Sequence, residues 1–572
     1  MKFFIKTIYL ILAVSLFTLN ITNSFSRDVN IKYSKEEVFN YLSGTISLNR
    51  NNSKKSLEYF GKIKSLGEIH SNYNIKFIRS LILSGKFKDA FAFAENISRK
   101  DEKLFEVNLL LGLQAYIKND YENAHIYFKR LNNISSSSFL FEDFFGNILN
   151  SWIKASENNK IESFKFLNKI PKRYNKLKII QESFLHCYFD SPKTQVLFEK
   201  VIGNENRNFS RYNYFLVNYL LSKNEHIAAK LFIHEYGESH DSPLLIRQTH
   251  HFIKKNKIKK ITNFFNCKKP KDSMAEIFYV IANMYSTQKN YQMSNFYLNI
   301  SLYLNDKFKP NIILLAENYY FQNKFELSKK TYNSAKSIGS IYSWFASKSI
   351  SLIIKETENK RKSISYLKKA FDSLKNLNFN HYYELANYYK DNELFEESIE
   401  YYSLALKNIK QENKLLPKIL DRRGISYERT GKWKKAEKDF LESLRLSPEQ
   451  PYVLNYLAYT WVDKKINIDK ALKMLQKAVK LKKNDGYIID SLGWAYYRNE
   501  NYIEAEKFLQ KAVKLLPLDP IINDHYADAL WMLNKNIQAR YFWKNALGLD
   551  SIESKTKEKI NQKLIFGINN KS

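Results

Sequence analysis

The chain has 572 residues, with 91 Lys and Arg against 58 Asp and Glu, and a net charge of +33. That length exceeds one ordinary core and requires several domains or a repeat array. Only 15 Gly and 10 Pro, with 44% hydrophobic residues, disfavour disorder and a many-turned β architecture and suit helices.

Residues 1–26 stand apart. Lys2 and Lys6 precede an apolar run from Ile8 to Leu19, and Ser24 and Ser26 put small residues at the −3 and −1 places of a cleavage site before Arg27. The pattern predicts a secretory signal peptide and a periplasmic destination. The alternative is an uncleaved inner-membrane anchor, for which the run is short, since about 20 residues span a bilayer. A lipoprotein signal needs a cysteine at the cleavage point, and there is none. Cleavage removes two lysines and no acids, leaving +31.

From residue 34 a periodicity runs through the chain. Ser56, Ala90 and Ala124 are 34 apart, and Gly44 and Gly112 lie twelve residues before the first and third of these. After a polar run at Ser135–Ser138 the next marks are Ala228 and Ser294, close to three and two periods on, so three degenerate units belong between them. From Ser294 the register continues through Ser328, Ser363, Ser398, Ala436, Ala471, Ala505 and Ala539 at intervals of 34 to 38. The second small residue recurs twelve earlier, as Ala282, Ala316, Ala386, Gly424, Gly493 and Ala527. Small residues at these places let two helix backbones approach closely. The pattern divides the chain into 34–135, a degenerate stretch 136–270, a regular stretch 271–550 and a tail 551–572. In the tail, Asp550 and Glu553 suggest a capping box and Ile552, Ile560 and Leu564 form one apolar stripe, as a capping helix requires.

The two cysteines, Cys187 and Cys267, are eighty residues apart. In a straight stack with repeats roughly 10 Å apart they exceed the ~7 Å Cα limit for a disulfide, so free buried thiols are expected. Five of the ten histidines, His226, His234, His240, His250 and His251, fall within twenty-six residues of the degenerate stretch. A metalloenzyme centred there is one reading. Polar helix faces are the better one, since no pair has i, i+4 spacing and no cysteine is near. No phosphate-binding glycine loop, HExxH, GxSxG or CxxC pair occurs, so no catalytic residue, cofactor or metal is assigned and the chain is read as a non-enzyme.

The clearest unit is Gly486 to Pro517, where Gly493 lies in a first helix and Ala505 and Ala512 share one face of a second. Leu492, Gly493, Tyr496, Ala505, Ala512 and Pro517 fall on the signature positions of the tetratricopeptide repeat, which this unit resembles. The resemblance implies an all-α, right-handed superhelical solenoid of about fifteen helix–turn–helix units. It also implies that the first helix of each unit lines an inner groove. On that basis Tyr487, Asp490, Trp494, Tyr497 and Arg498 face the groove, with Tyr452, Asn455 and Tyr459 before them and Asp524, Asp528, Trp531 and Met532 after. Aromatic residues with a few charges have the composition of a protein-recognition surface. The clamp that holds chaperone carboxyl termini is excluded, because Asn283 and Asn387 follow Tyr279 and Tyr383 where it needs lysine.

With its signal segment and the motif DSLGW at Asp490 to Trp494, the chain is similar to bacterial envelope tetratricopeptide proteins, some of which hold a processing protease and bring peptidoglycan hydrolases to it. The missing lipid-attachment cysteine departs from the outer-membrane members. The expected function is an adaptor that binds one or more envelope proteins. The alternative is a cationic binder of anionic envelope glycan or lipid, drawn by the positive charge. Nucleic acid is disfavoured, since the lysines are spread over every repeat.

Overall fold

The computed structural model describes residues 33–98, 103–134, 143–203, 210–237, 241–549 and 552–568. The predicted signal segment, the run Ser135–Ser138, His240 and Asp550 lie outside them. The described residues form two compact units, 1–357 and 358–572.

In the first unit nine helical hairpins follow one another: α1 (Lys35–Asn49) with α2 (Ser53–Gly61), α3 (Ser71–Leu83) with α4 (Phe87–Ile97), α5 (Phe105–Ile117) with α6 (Tyr121–Asn133), α7 (Phe145–Ser156) with α8 (Lys160–Asn168), α9 (Asn175–Tyr188) with α10 (Thr194–Ile202), α11 (Tyr212–Ser222) with α12 (His226–Gly237), α13 (Leu244–Lys254) with α14 (Ile258–Thr262), α15 (Pro270–Thr287) with α16 (Tyr291–Leu304), and α17 (Ile312–Phe321) with α18 (Phe325–Ala335). Helix α19 (Ser340–Thr357) ends this unit, and α20 (Lys360–Asp372) opens the second. Five more hairpins follow: α21 (Phe379–Asp391) with α22 (Phe395–Asn408), α23 (Leu416–Arg429) with α24 (Trp433–Leu446), α25 (Pro451–Asp463) with α26 (Ile468–Leu481), α27 (Gly486–Arg498) with α28 (Tyr502–Leu515), and α29 (Pro520–Met532) with α30 (Asn536–Leu547). Helix α31 (Ser554–Phe566) is last. The three degenerate units are the hairpins α7–α8, α9–α10 and α13–α14.

One turn chemistry recurs. The first helix ends on a residue with positive φ, such as Asn119, Asn158 or Glu500, and the next residue caps the second helix. Asp120, Asn159 and Asn501 each accept a hydrogen bond from the backbone N–H three residues on. Asparagine tolerates the left-handed conformation better than most residues, and Gly431 (φ +74°) adopts it freely in the turn before α24.

The small residues hold the two helices of a hairpin together. A Cβ on Gly44, Gly112, Gly424 or Gly493 would lie 2.6, 2.3, 2.7 or 2.6 Å from the side chain sixteen residues on, which is Phe60, Phe128, Phe440 and Leu509 respectively. A side chain there would force the facing residue to shift. Ala124, Ala436, Ala471, Ala505, Ala512 and Ala539 are wholly buried at the same seams. At three of the positions where serine replaces alanine, its hydroxyl donates to the carbonyl of the small residue twelve earlier: Ser56 to Gly44 at 3.0 Å, Ser163 to Ser151 at 2.9 Å and Ser328 to Ala316 at 2.8 Å. A buried hydroxyl is satisfied and the close approach is kept.

The first unit is not a straight stack. Its chain winds back so that α15 and α16 lie against α3, α7 and α9. Phe145 of α7 stacks on Phe278 (6.0 Å) and Tyr297 (5.9 Å), and Phe87 stacks on Tyr303 at 4.0 Å. Arg211, at the start of α11, pairs with Glu276 of α15 at 2.8 Å and lies 3.8 Å over the Tyr279 ring. Helices α5, α7 and α11 are therefore buried nearly all round. This return corrects the expectation for the cysteines. Phe265 packs on Phe184 of α9 at 5.2 Å and on Phe215 at 4.8 Å, which brings Cys267 to the end of α9. Cys187 and Cys267 are disulfide-bonded, with a Cα separation of 6.0 Å. The repeat-by-repeat distance fails as a ruler wherever the chain folds back on itself.

The tail packs on the last hairpin of the second unit. Ile560 is buried, Ile552 and Leu564 are partly buried against the same core, and Lys555, Lys557 and Lys559 are exposed. The helix starts at Ser554 with Glu553 at its N-cap, whose side chain makes no capping bond to it.

Candidate protein-binding groove

Helices α25, α27 and α29 stand side by side in the second unit. Tyr452 and Tyr487 are each 59% exposed. Tyr459, Trp494, Tyr497 and Arg498 are half-buried. Trp494 is the centre of a ladder, with Tyr497 stacked on one side at 4.8 Å and His525 on the other at 4.0 Å. The Arg498 guanidinium lies 6.0 Å from the Trp494 ring. The Tyr452 hydroxyl donates to Asp485 at 3.2 Å. Burial, with Asp490 nearby, pushes the Tyr459 phenol up to about 12, and burial raises Tyr497 as well. Both remain neutral donors at physiological pH.

The aspartates do not behave as free groove groups. Asp490 is buried, and both its oxygens lie 3.1 Å from Nδ1 of His525. Burial opposes a charge on that imidazole, but Asp490 outweighs it and raises the histidine's pKa. Asp528 is buried too. It accepts the Trp543 indole N–H at 2.9 Å and the Lys563 ammonium at 2.6 Å, and Lys563 also bonds both oxygens of Asp524 at 2.9 Å. Burial and neighbouring Asp524 push the Asp528 carboxyl up to about 6, against the pull of Lys563. Trp531 is also engaged: Trp543 lies 5.4 Å and Arg540 5.1 Å from its ring, and a Cβ at Gly567 would fall 2.0 Å from it. The tyrosines and Trp494 thus keep part of their surface exposed. The acids instead meet a cation 35 residues on, His525 for Asp490 and Lys563 for Asp528. That spacing of acid and base one repeat apart was visible in the chain and is the signal the sequence reading did not use.

His226 and His234 are exposed, and the His234 and His250 rings lie 5.8 Å apart. Among the described residues no group of three or more His, Cys, Asp or Glu is placed to hold a metal.

Repeated hairpins with a small-residue seam and an aromatic inner wall define a helical-repeat interaction scaffold. Residues 417–450 and 487–516, the hairpins α23–α24 and α27–α28, match models of the tetratricopeptide repeat. At these two hairpins the chain carries tetratricopeptide repeats. It is 32% identical over 88 residues to a TPR repeat-containing protein of Pseudomonas aeruginosa, a match spanning 15% of each chain. Among solved structures it is similar to yeast Tom70 (16% identity, 80% of this chain and 95% of that one, TM-score 0.33). A tetratricopeptide repeat protein from Parabacteroides merdae is 19% identical over 39% of this chain and 85% of that one, also with a TM-score of 0.33.

Proposed function

We propose that the protein is an exported, non-enzymatic adaptor that binds one or more envelope proteins along the inner wall of α25 and α27. Bringing a protease or cell-wall hydrolase near its substrate is the form of action this reading favours. Such an adaptor raises the effective concentration of its partners and does no chemistry. The observation that carries the reading is the aromatic row of Tyr452, Tyr459, Tyr487, Trp494 and Tyr497. Two of its members are well exposed, and Trp494 is held rigid by stacking on both sides. Rigid rings with polar tips give contact area at small entropic cost. The test is capture from the organism's own envelope extract, washed at low and then high salt, by the wild type and by Tyr487→Ala/Trp494→Ala. A protein retained through high salt by the wild type and lost by the variant supports the groove. Retention by both places the partner elsewhere. Recovery of only anionic glycan or lipid, released by salt, favours a charge-held surface binder instead.

A further inference from the structure

The first unit contains a second recess, remote in sequence from the aromatic row. It lies where the first two hairpins approach the ninth, and it encloses about 1230 Å³. Its walls are the turns after α1, α3 and α17, and its floor is the face of α16 carrying Asn295 and Asn299. The Gln292 amide donates to the Leu48 carbonyl at 3.0 Å and ties that floor to the first hairpin. We propose that this cleft binds an extended acidic peptide segment.

The charge comes first. Arg50, Lys54 and Lys86 stand exposed around the cleft, and Lys324 is half-buried in it with its ammonium 5.5 Å from the Tyr319 ring. Among the described residues none of these four cations has a carboxylate partner. Elsewhere in the chain buried cations do: Arg211 has Glu276, Arg423 has Asp439 and Lys563 has two aspartates. Of the two acids lining the cleft, Glu326 is already held by Lys329 at 2.6 Å, and Glu58 is the other. Taking Lys324 out of water without a counter-ion pushes its ammonium down to about 8, a cost that an incoming carboxylate would remove.

The second observation is an unsatisfied amide. Both the nitrogen and the oxygen of Gln322 are buried without a hydrogen-bond partner. Asn299 spends one N–H on the Asn295 carbonyl at 2.8 Å. Asn299 thus keeps one N–H and its side-chain oxygen, one donor and one acceptor to match a peptide group, which offers one of each. The volume decides between a small ligand and a chain segment: small-molecule sites run to roughly 300–1,000 Å³, and this cleft is larger and open along the hairpin turns.

The test uses a fluorescein-labelled twelve-residue Glu-Ala repeat peptide and purified protein at physiological salt. Saturable binding is expected, weakened at least tenfold by Lys324→Glu and by the exposed Arg50→Glu, either of which suffices if the other misfolds. Lys555→Glu, on the exposed side of α31, controls for net charge and should change affinity less than twofold. Carbodiimide coupling should join peptide glutamates to Lys54, Lys86 or Lys324. Equal loss in the control, coupling scattered over the surface lysines, or stronger binding of a sulfated oligosaccharide of matched charge would overturn the proposal. Trp494→Ala separates the two sites. Unchanged peptide binding supports the cleft, whereas loss overturns it and leaves the groove reading standing.

Discussion

Lys563→Met tests whether the tail helix is held by charge in the last repeat. Lys563 makes four contacts of 2.6 to 2.9 Å with Asp524 and Asp528. The side chains of these aspartates are 14% and 4% exposed. Removing one partner of a buried ion pair costs ~3–5 kcal/mol, because the other charge is left without compensation. Lys563 itself is 24% exposed, which favours the lower end, about 3 kcal/mol. A deficit of that size on docking α31 is about a hundredfold in the population of the undocked tail. Trypsin cutting at Lys555, Lys557 and Lys559, read by intact mass in the regime where opening is at equilibrium, should accelerate by that factor. The effect should also shrink on acidification. The Asp528 carboxyl already sits near 6, above its unfolded value, so the docked state of the variant takes up a proton as pH falls through that region and the stranded charge disappears. Asp528→Asn combined with Lys563→Met should restore part of the docking at neutral pH. A cleavage rate unaffected by Lys563→Met, or a deficit that grows on acidification, would refute the reasoning.

Gly493→Ala gains ~1 kcal/mol of helix propensity but places its Cβ 2.6 Å from Leu509 Cγ, an overpacking that costs ~1–3 kcal/mol, so a net loss of about 1 kcal/mol is expected in urea unfolding. Gly61→Ala, with nothing near its Cβ, should be neutral or stabilising. Cys187→Ser, which opens a loop of 80 residues, should destabilise the first unit by about 4 kcal/mol on the chain-entropy scale, seen as a lower melting transition that reductant reproduces in the wild type. The His525 imidazole is raised above its unfolded pKa by Asp490, so its contribution is full below about 6.5 and is lost as pH rises through the folded value. Melting of the second unit should therefore fall as pH rises above about 6.5, and His525→Gln should flatten that slope.

The hairpins were legible because they are made by near neighbours. Gly112 must be small for Phe128, sixteen residues away, and Ser56 replaces alanine only because Gly44 offers a carbonyl twelve residues back. Such marks survive in sequence even when the rest of a unit has drifted. The disulfide, the pairing of Arg211 with Glu276 and the stacking of Phe145 on Phe278 depend on how the superhelix winds, and no local pattern encodes that. The offsets read from the repeat pick out tyrosines that are half-buried or exposed, since a tyrosine can pack in a wall and still present its edge. Asp490 and Asp528 are buried instead, because a carboxylate beside the next repeat's cation is drawn into the wall. His525 and Lys563 hold the aspartates that would otherwise have faced a partner.

The backward packing of α15 and α16 also bears on how the chain is made. An array of nearest-neighbour hairpins can settle unit by unit as it leaves the ribosome. Here Phe87 waits for Tyr303, and Leu48 for Gln292. More than two hundred residues must emerge before the second turn of the array finds its lasting neighbour, and until then the inner faces of α3, α5 and α7 are sticky surface. A truncation that stops short of residue 304 should therefore yield aggregate, where a truncation of a linear array would yield a shorter array.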